Sequence, residues 1–405
     1  MNARRTENKW FYLICGAFGM LMIGVIYAWS ILKTPLAEEF GWGVTELALN
    51  FTLTLCFFCV GGVLGSTLSS RFSPRVTILT AAACLCAGFV ICSRMSGASI
   101  AALYLAYGGL GGIGIGMANN AIVSQCNAWF PGQRGTSTGV LMMCFGLSSL
   151  LLGKLAAALM EIPEIGWRTT YMIIGIAIAA VLVPLAMILR MPPRSAEASP
   201  AGEETAAAQA EKREYDSREM MKRPSFWKFY AYSILTCAVG STVISFARDL
   251  ALSVGASAAL ATTLVGVLSL CNGLGRILFG LIFDRLGRKK TMILSNLLTI
   301  VAPATILFSL SIRSLPLSIL GFCLTGIAYG SSPTISAAVV SELYGVRHYP
   351  KNYSLANTMV IFASVMSTVA GKMLELTGGS YLPVFIVLLV CAVAALFLNF
   401  RIREA

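Results

Sequence analysis

Apolar residues in this chain come in long unbroken runs, and polar residues serve mainly as punctuation between them. The runs cover about 10–32, 44–69, 75–95, 98–124, 134–160 and 167–190, then 225–252, 257–283, 288–312, 314–342, 349–376 and 380–402. Crossing the hydrocarbon core of a bilayer, roughly 30 Å thick, takes a helix of about 20 apolar residues. The pattern therefore predicts an all-α membrane protein of 12 transmembrane helices, six plus six. The one long interruption begins Pro192-Pro193, continues through an Ala-, Glu- and Lys-rich stretch and ends at Lys222-Arg223-Pro224, a composition that cannot bury a core. It predicts a cytoplasmic linker over 191–224 between an N-terminal six-helix bundle, 1–190, and a C-terminal one, 225–405. The first run ends in Leu32-Lys33-Thr34-Pro35 without a small-residue cleavage site, so it is expected to remain as a helix.

Composition agrees with the pattern. Of 405 residues, 57% are hydrophobic and 12% charged, and the mean hydropathy is +0.78, against about 25% charged residues in soluble domains. A soluble enzyme is excluded. The formal net charge of +12 would suggest nucleic acid in a soluble protein. Sorted by the ends of the runs, however, 22 Lys and Arg fall on one side and 7 on the other. That bias predicts cytoplasmic N and C termini and explains the basic excess by topology, with the lipid bilayer and no nucleic acid as partner. Short loops without soluble domains predict a multi-pass protein of the cell inner (plasma) membrane, functional as a monomer. Cys15, Cys56, Cys84, Cys126, Cys237, Cys271 and Cys391 fall inside apolar runs and read as small core residues. Cys56-Phe57-Phe58-Cys59 has no second pair, and the single histidine, His348, lies in a predicted inner loop, so no metal and no other cofactor is expected. No phosphate-loop motif occurs, which leaves solute or ion gradients to drive any transport. Gly109, Gly111 and Gly114 have dinucleotide-motif spacing but neither strand nor acid around them; with Gly108, Gly112 and Gly116 they read as a close helix-packing surface.

Two landmarks recur at one offset. Gly112-Ile113 followed by Gly116 returns 214 residues later as Gly326-Ile327 followed by Gly330, and Ser70-Arg71-Phe72-Ser73-Pro74-Arg75 is overlaid by Asp284-Arg285-Leu286-Gly287-Arg288-Lys289 at the same offset. Two same-orientation repeats place a substrate site near the bilayer midplane, between the halves. Gly280 followed by the Asp284–Lys289 run resembles the signature loop of the major facilitator superfamily. The resemblance implies the major facilitator fold. Asp284, Arg285, Gly287 and Arg288 then form a helix-end hub whose charges pair and rearrange as the halves rock. The first copy carries Ser66, Ser70 and Ser73 where the pattern has Gly, Asp and Gly. Near the other end of segment 7, Arg248-Asp249 reads either as an outer gate or as a local ion pair.

Arg276 lies about eight residues before Asp284, hence roughly 12 Å from that membrane edge. An arginine at such depth costs a few kcal/mol and faces a cavity or a partner. Ser269, Asn272 and Arg276 share one helical face, and at the repeat offset Arg276 replaces Gly62. A guanidinium holds a carboxylate through paired hydrogen bonds, which makes the stripe a candidate anion site. Snorkelling to the inner surface is the alternative.

Further motifs surround this stripe: Tyr27-Ala28-Trp29-Ser30, Glu39-Phe40-Gly41-Trp42, Trp129-Phe130-Pro131-Gly132-Gln133-Arg134-Gly135, Ser341-Glu342-Leu343-Tyr344-Gly345 and Lys351-Asn352-Tyr353. Together they resemble the oxalate:formate antiporter family and, more distantly, the monocarboxylate transporters. The resemblance implies that Arg276 is the carboxylate anchor. It also exposes departures: the lysine of oxalate exchangers in segment 11 falls at about Val360, a frequent tyrosine of segment 4 is Asn119, and Asn272 stands where monocarboxylate transporters carry an acid. Tyr27, Trp29, Tyr329 and Asn119 complete the candidate lining, the aromatics reading equally well as core or lipid-facing residues. The expectation is a secondary active transporter of small monocarboxylate anions, of the lactate, pyruvate or formate kind, working by alternating access with exchange or proton coupling. An oxalate or dicarboxylate:formate antiporter is the near alternative, and a membrane solute sensor without transport the alternative of another class.

Overall fold

The computed structural model describes residues 9–97, 99–130, 134–190, 214–345 and 348–402. Most of the expected linker, 191–213, lies outside the described residues, as do Pro131, Gly132, Gln133 and Arg347 of the predicted inner loops.

The apolar runs fold as α1 Lys9–Phe40, α2 Val44–Arg71, α3 Pro74–Ser93, α4 Ile100–Ala128, α5 Arg134–Met160, α6 Gly166–Ile188 and α7 Pro224–Ser253. A run of 55 residues, Ala258–Ile312, supplies α8 (258–286) and α9 (288–312), and α10 Leu315–Tyr344, α11 Lys351–Leu376 and α12 Leu382–Arg401 follow. At about 1.5 Å per residue the 55-residue run would measure roughly 82 Å, far more than one crossing. It breaks at Gly287, whose φ of 71° and ψ of 176° fall in a region essentially reserved for glycine. The loop expected between segments 8 and 9 is thus one residue, with helix continuing up to it on both sides.

The first helix also departs from expectation. It runs through Lys33, Thr34 and Pro35 to Phe40 instead of ending near Leu32, so Lys33 is a helix residue and not a loop cation. Its end is set by Gly41, at φ 66°, whose N–H bonds the Ala37 carbonyl at 3.0 Å. Midway, Gly24–Ala28 tightens into a 3₁₀ turn where Gly24 lies against the Phe145 carbonyl and 2.7 Å would separate a Cβ from that of Ser148. In α4, Tyr104–Gly111 winds as π-helix beside α2 and α3.

The repeat is written into the packing. A Cβ on Gly116 would collide with the Phe58 carbonyl, and one on Gly330 with that of Asn272. Gly61 lies against the Ile113 carbonyl as Gly275 lies against that of Ile327. Each residue of the first set corresponds to one of the second at the offset of 214, the separation of the sequence landmarks and of Thr34 from Arg248. So α2 packs on α4 in the same register as α8 on α10. The two sets of six helices meet through α2 with α11 and α5 with α8: Thr52 Oγ1 donates to the Ser364 carbonyl at 2.7 Å, and Gly266 lies against Leu150. Backbone-to-backbone approach of this kind is how helices associate in lipid, where no hydrophobic force separates helix from solvent.

Gly116→Ala and Gly330→Ala, being repeat counterparts, are expected to destabilise the detergent-solubilised protein by similar amounts, about 1–3 kcal/mol each. Thermal unfolding followed by light scattering or intrinsic fluorescence measures both, and one tolerated and one lethal substitution would contradict the shared register.

Candidate functional site

The polar stripe of α8 faces a seam between helices. Gly146 of α5 lies against the Ser269 carbonyl and Gly330 of α10 against that of Asn272, so the stripe is gripped from both sides. Ser269 and Asn272 are buried, and neither the Ser269 hydroxyl nor the Asn272 Oδ1 has a hydrogen-bond partner. Arg276, half-buried, stands eleven residues before Gly287, about 16 Å along the axis and close to the middle of a crossing.

The guanidinium is held loosely. Nη2 donates to the Tyr27 hydroxyl at 3.4 Å, long for such a bond, and the buried Nε has no partner. No acid among the described residues forms an ion pair with it. Tyr27 comes from the 3₁₀ turn of α1, 5% exposed, its ring edge-on to Phe145 at 5.3 Å. Tyr329 of α10 precedes Gly330, where a Cβ would stand 3.1 Å from the Arg276 backbone nitrogen, and Gly240 of α7 makes room for the Tyr329 ring, whose carbons fill the place of any Cβ there. The guanidinium thus has one phenol, Tyr27, within bonding reach and a second, Tyr329, on the neighbouring helix, an arrangement suited to receive a small anion by its oxygens.

The structure brings Arg276, Asn272, Tyr27 and Tyr329 into one neighbourhood. Asn119 sits half-buried on α4 with Oδ1 unpartnered, and no hydrogen bond joins it to Arg276. Trp29 is fully buried in the seam of α1 and α2, where its indole N–H donates to the Leu47 carbonyl at 3.2 Å and its ring packs 4.7 Å from that of Tyr107. That is a core position. Thr334 of α10, whose hydroxyl donates to the Arg276 carbonyl at 3.3 Å, was not singled out from the sequence.

Arg248 and Asp249 do not pair with each other. Asp249 takes Lys33 of α1 at 2.6 Å, and Arg248 Nη1 donates to Thr34 Oγ1 at 3.2 Å, so both reach across from α7 to the first six helices. Lys33, with 6% of its side chain exposed, also lies 4.6 Å over the Phe246 ring. Beside them, Glu375 of α11 accepts from the Thr45 N–H at the start of α2, at 2.9 Å. At the other end, Asp284 and Arg285 are exposed and form no ion pair among the described residues, while Arg288 is buried and bonds Glu342 of α10 at 3.0 Å within the last six helices. Among the described residues, the ionic links between the helix ends of the two sets therefore stand at the Lys33 end, while Thr52–Ser364 and Tyr27–Arg276 join the sets farther along the helices.

Several residues of the recognised motifs are clamps. Glu39 binds Trp167 Nε1 at 2.6 Å and Arg168, Trp129 Nε1 donates to the Arg190 carbonyl at 2.8 Å, and Asn352 holds Tyr215 and Ser217 at 3.0 and 2.8 Å.

Comparison with known proteins agrees with this architecture. The profile described as Major Facilitator Superfamily matches residues 11–247 and again 233–405. The oxalate:formate antiporter of Oxalobacter formigenes is 25% identical over 361 residues, 88% of this chain and 83% of that protein. Human monocarboxylate transporter 12 is 23% identical over 399 residues, 91% of this chain and 74% of its own length. Among solved structures, a D-xylose–proton symporter superposes with a TM-score of 0.75 at 17% identity, covering 98% of this chain and all of that one, which speaks for the fold alone. By sequence profile and by fold alike, the chain belongs to the Major Facilitator Superfamily of membrane transporters.

Proposed function

We propose that this transporter carries small monocarboxylate anions, of the lactate, pyruvate or formate kind, by alternating access of its two six-helix halves, 1–190 and 225–405, around Arg276. The observation that carries the proposal is the guanidinium at mid-crossing with an unpartnered Nε and no acid beside it. A carboxylate supplies the missing charge and acceptors, and a charge-assisted bond of this kind contributes about 1.5–3 kcal/mol. Tyr27 of the first half already touches Arg276 of the second, so an anion bound there meets both halves at once. Asn272 and Asn119 offer unpartnered amide oxygens, which accept from any hydroxyl the substrate carries, and Tyr329 stands beside them.

A single cation favours a monoanion. Val360 stands where the relatives that exchange oxalate would carry a second one, so a dianion would bring one charge too many into the bilayer. Exchange is favoured over proton symport by the placement of the acids. Every described Asp and Glu within the spans sits near a helix end, at Glu38, Glu39, Glu46, Asp249, Asp284, Glu342 or Glu375. The unloaded carrier must move Arg276 through an occluded state uncompensated, which burial makes slow. The chain sits in the inner membrane with Arg71, Arg75 and Arg285 facing the cytoplasm, as the positive-inside bias requires. Lys33–Asp249 and Arg248–Thr34 then close the outer side, and the Asp284–Arg288 hub rearranges when the inner side closes.

Proteoliposomes loaded with unlabelled lactate, pyruvate or formate are expected to take up the labelled anion far faster than empty ones, without an imposed pH gradient. Uptake that needs acid outside and ignores internal solute would make the protein a symporter. Arg276→Ala should abolish exchange while the protein stays folded, and Arg276→Lys should raise KM about tenfold or more, because a point charge replaces the paired donors. Wild-type exchange by folded Arg276→Ala would remove the anchor. For the outer closure, a cycle of Lys33→Met, Asp249→Leu and the double variant should show a coupling of about 1–3 kcal/mol in thermal unfolding; additive losses would mean that the pair holds nothing together.

A further inference from the structure

A cleft lies away from the Arg276 site, where α3 begins and α6 ends. It holds about 220 Å³ and is lined by Ser73, Pro74, Arg75, Gln125, Leu189 and Arg190. Ser73 caps the 20-residue α3, its Oγ accepting from the Val76 N–H at 3.3 Å, so the positive end of that helix opens into the cleft. Arg190 is set in place by the bond from the Trp129 indole to its carbonyl. Gln125 is 2% exposed, and its Oε1 has no hydrogen-bond partner. A buried amide oxygen left unpaired in this way is costly unless something else donates to it.

Nothing described in the first six helices neutralises the two arginines. Residues 9–190 contain no aspartate, and their glutamates, Glu38, Glu39, Glu46, Glu161 and Glu164, all stand at the opposite end of the molecule. The equivalent end of the last six helices is different, for there Arg288 bonds Glu342 and Asp284 occupies the place of Ser70. At the repeat offset Arg71 and Arg75 correspond to Arg285 and Lys289, whereas Ser70 and Ala128 stand in place of Asp284 and Glu342.

We propose that this cleft binds the phosphodiester headgroup of a membrane lipid, phosphatidylglycerol in chemical class. Arg75, Arg190 and the α3 N-terminus receive the phosphate, and a headgroup hydroxyl donates to Gln125. Lipid is the source because the cleft borders side chains turned to the bilayer, Val76, Met187 and Ile188, which are 39%, 52% and 37% exposed and offer a path for the acyl chains. A choline or ethanolamine headgroup would bring its own cation toward two arginines.

The test is native mass spectrometry of the full chain in detergent, titrated with dioctanoyl phosphatidylglycerol, dioctanoyl phosphatidylcholine, dioctanoyl phosphatidylmethanol and inorganic phosphate. The double variant Arg75→Ala/Arg190→Ala should weaken phosphatidylglycerol binding about tenfold or more, as expected for loss of charge-assisted contacts. Arg71→Ala/Arg401→Ala, which removes the same charge outside the cleft, should leave it intact. Gln125→Leu should erase the preference for phosphatidylglycerol over phosphatidylmethanol, which lacks hydroxyls. Equal weakening in both double variants would reduce the effect to bulk surface charge and overturn the site. Displacement of the lipid by equimolar inorganic phosphate would overturn its identity as a lipid site.

Discussion

The carbonyl of Asn272 rests where the side chain of residue 330 would be, and that contact fixes the geometry around Arg276. With glycine at 330, α10 lies directly on the backbone of the turn that carries the guanidinium, and the Thr334 hydroxyl closes the same turn by donating to the Arg276 carbonyl at 3.3 Å. Gly146 presses on the other flank, against Ser269. A helix held by backbone on two sides cannot rotate to send its arginine elsewhere. In lipid that restraint matters more than in water, because a free α8 would turn the guanidinium toward whichever edge offered solvent. Close packing keeps it at mid-crossing, where its charge is costly and therefore available to an anion.

The electrostatics follow from where counter-charges are placed. Lys33 is buried, and Asp249 neutralises it at 2.6 Å, with the Phe246 ring supplying a further attractive face. Arg276 has only the Tyr27 hydroxyl. The first pair joins α1 to α7 at one end; the second cation is left without an acid among the described residues. Arg288, paired with Glu342, belongs to neither class, since both residues stay within the last six helices.

The crossings were legible because hydrophobicity along the chain is a local quantity, and the repeat was legible because glycines at backbone contacts tolerate no substitute. Arg276 stood out for a similar reason: an isolated charge in an apolar run is conspicuous whatever surrounds it. Lys33 was not recognised, since it lies beside Pro35 and so read as the end of a helix, while the aspartate that makes it tolerable comes from α7. For Trp29 the choice between lining and core stayed open for want of an azimuth. Which side of α1 it occupies depends on the 3₁₀ turn at Gly24–Ala28, and only the packing against Leu47 reveals it. The motif residues Glu39, Trp129 and Asn352 were visible as a signature, yet their work as clamps needed the partners Arg168, Arg190 and Ser217.

Thr34 and Arg248 touch each other and are separated by 214 residues, the spacing of the repeat itself. Each is therefore the other's counterpart, and the contact lies on the pseudo-twofold axis that relates the halves. At such a point a symmetric ancestor, with two identical halves, would have set each residue against its own copy. Arginine would have faced arginine, and no lysine–aspartate pair could have formed beside it without its mirror image. The Lys33–Asp249 pair at this end is thus a product of divergence between duplicated halves. The same holds for the lone guanidinium whose counterpart is Gly62: asymmetry in sequence is what lets a symmetric scaffold carry one cation at mid-crossing rather than two.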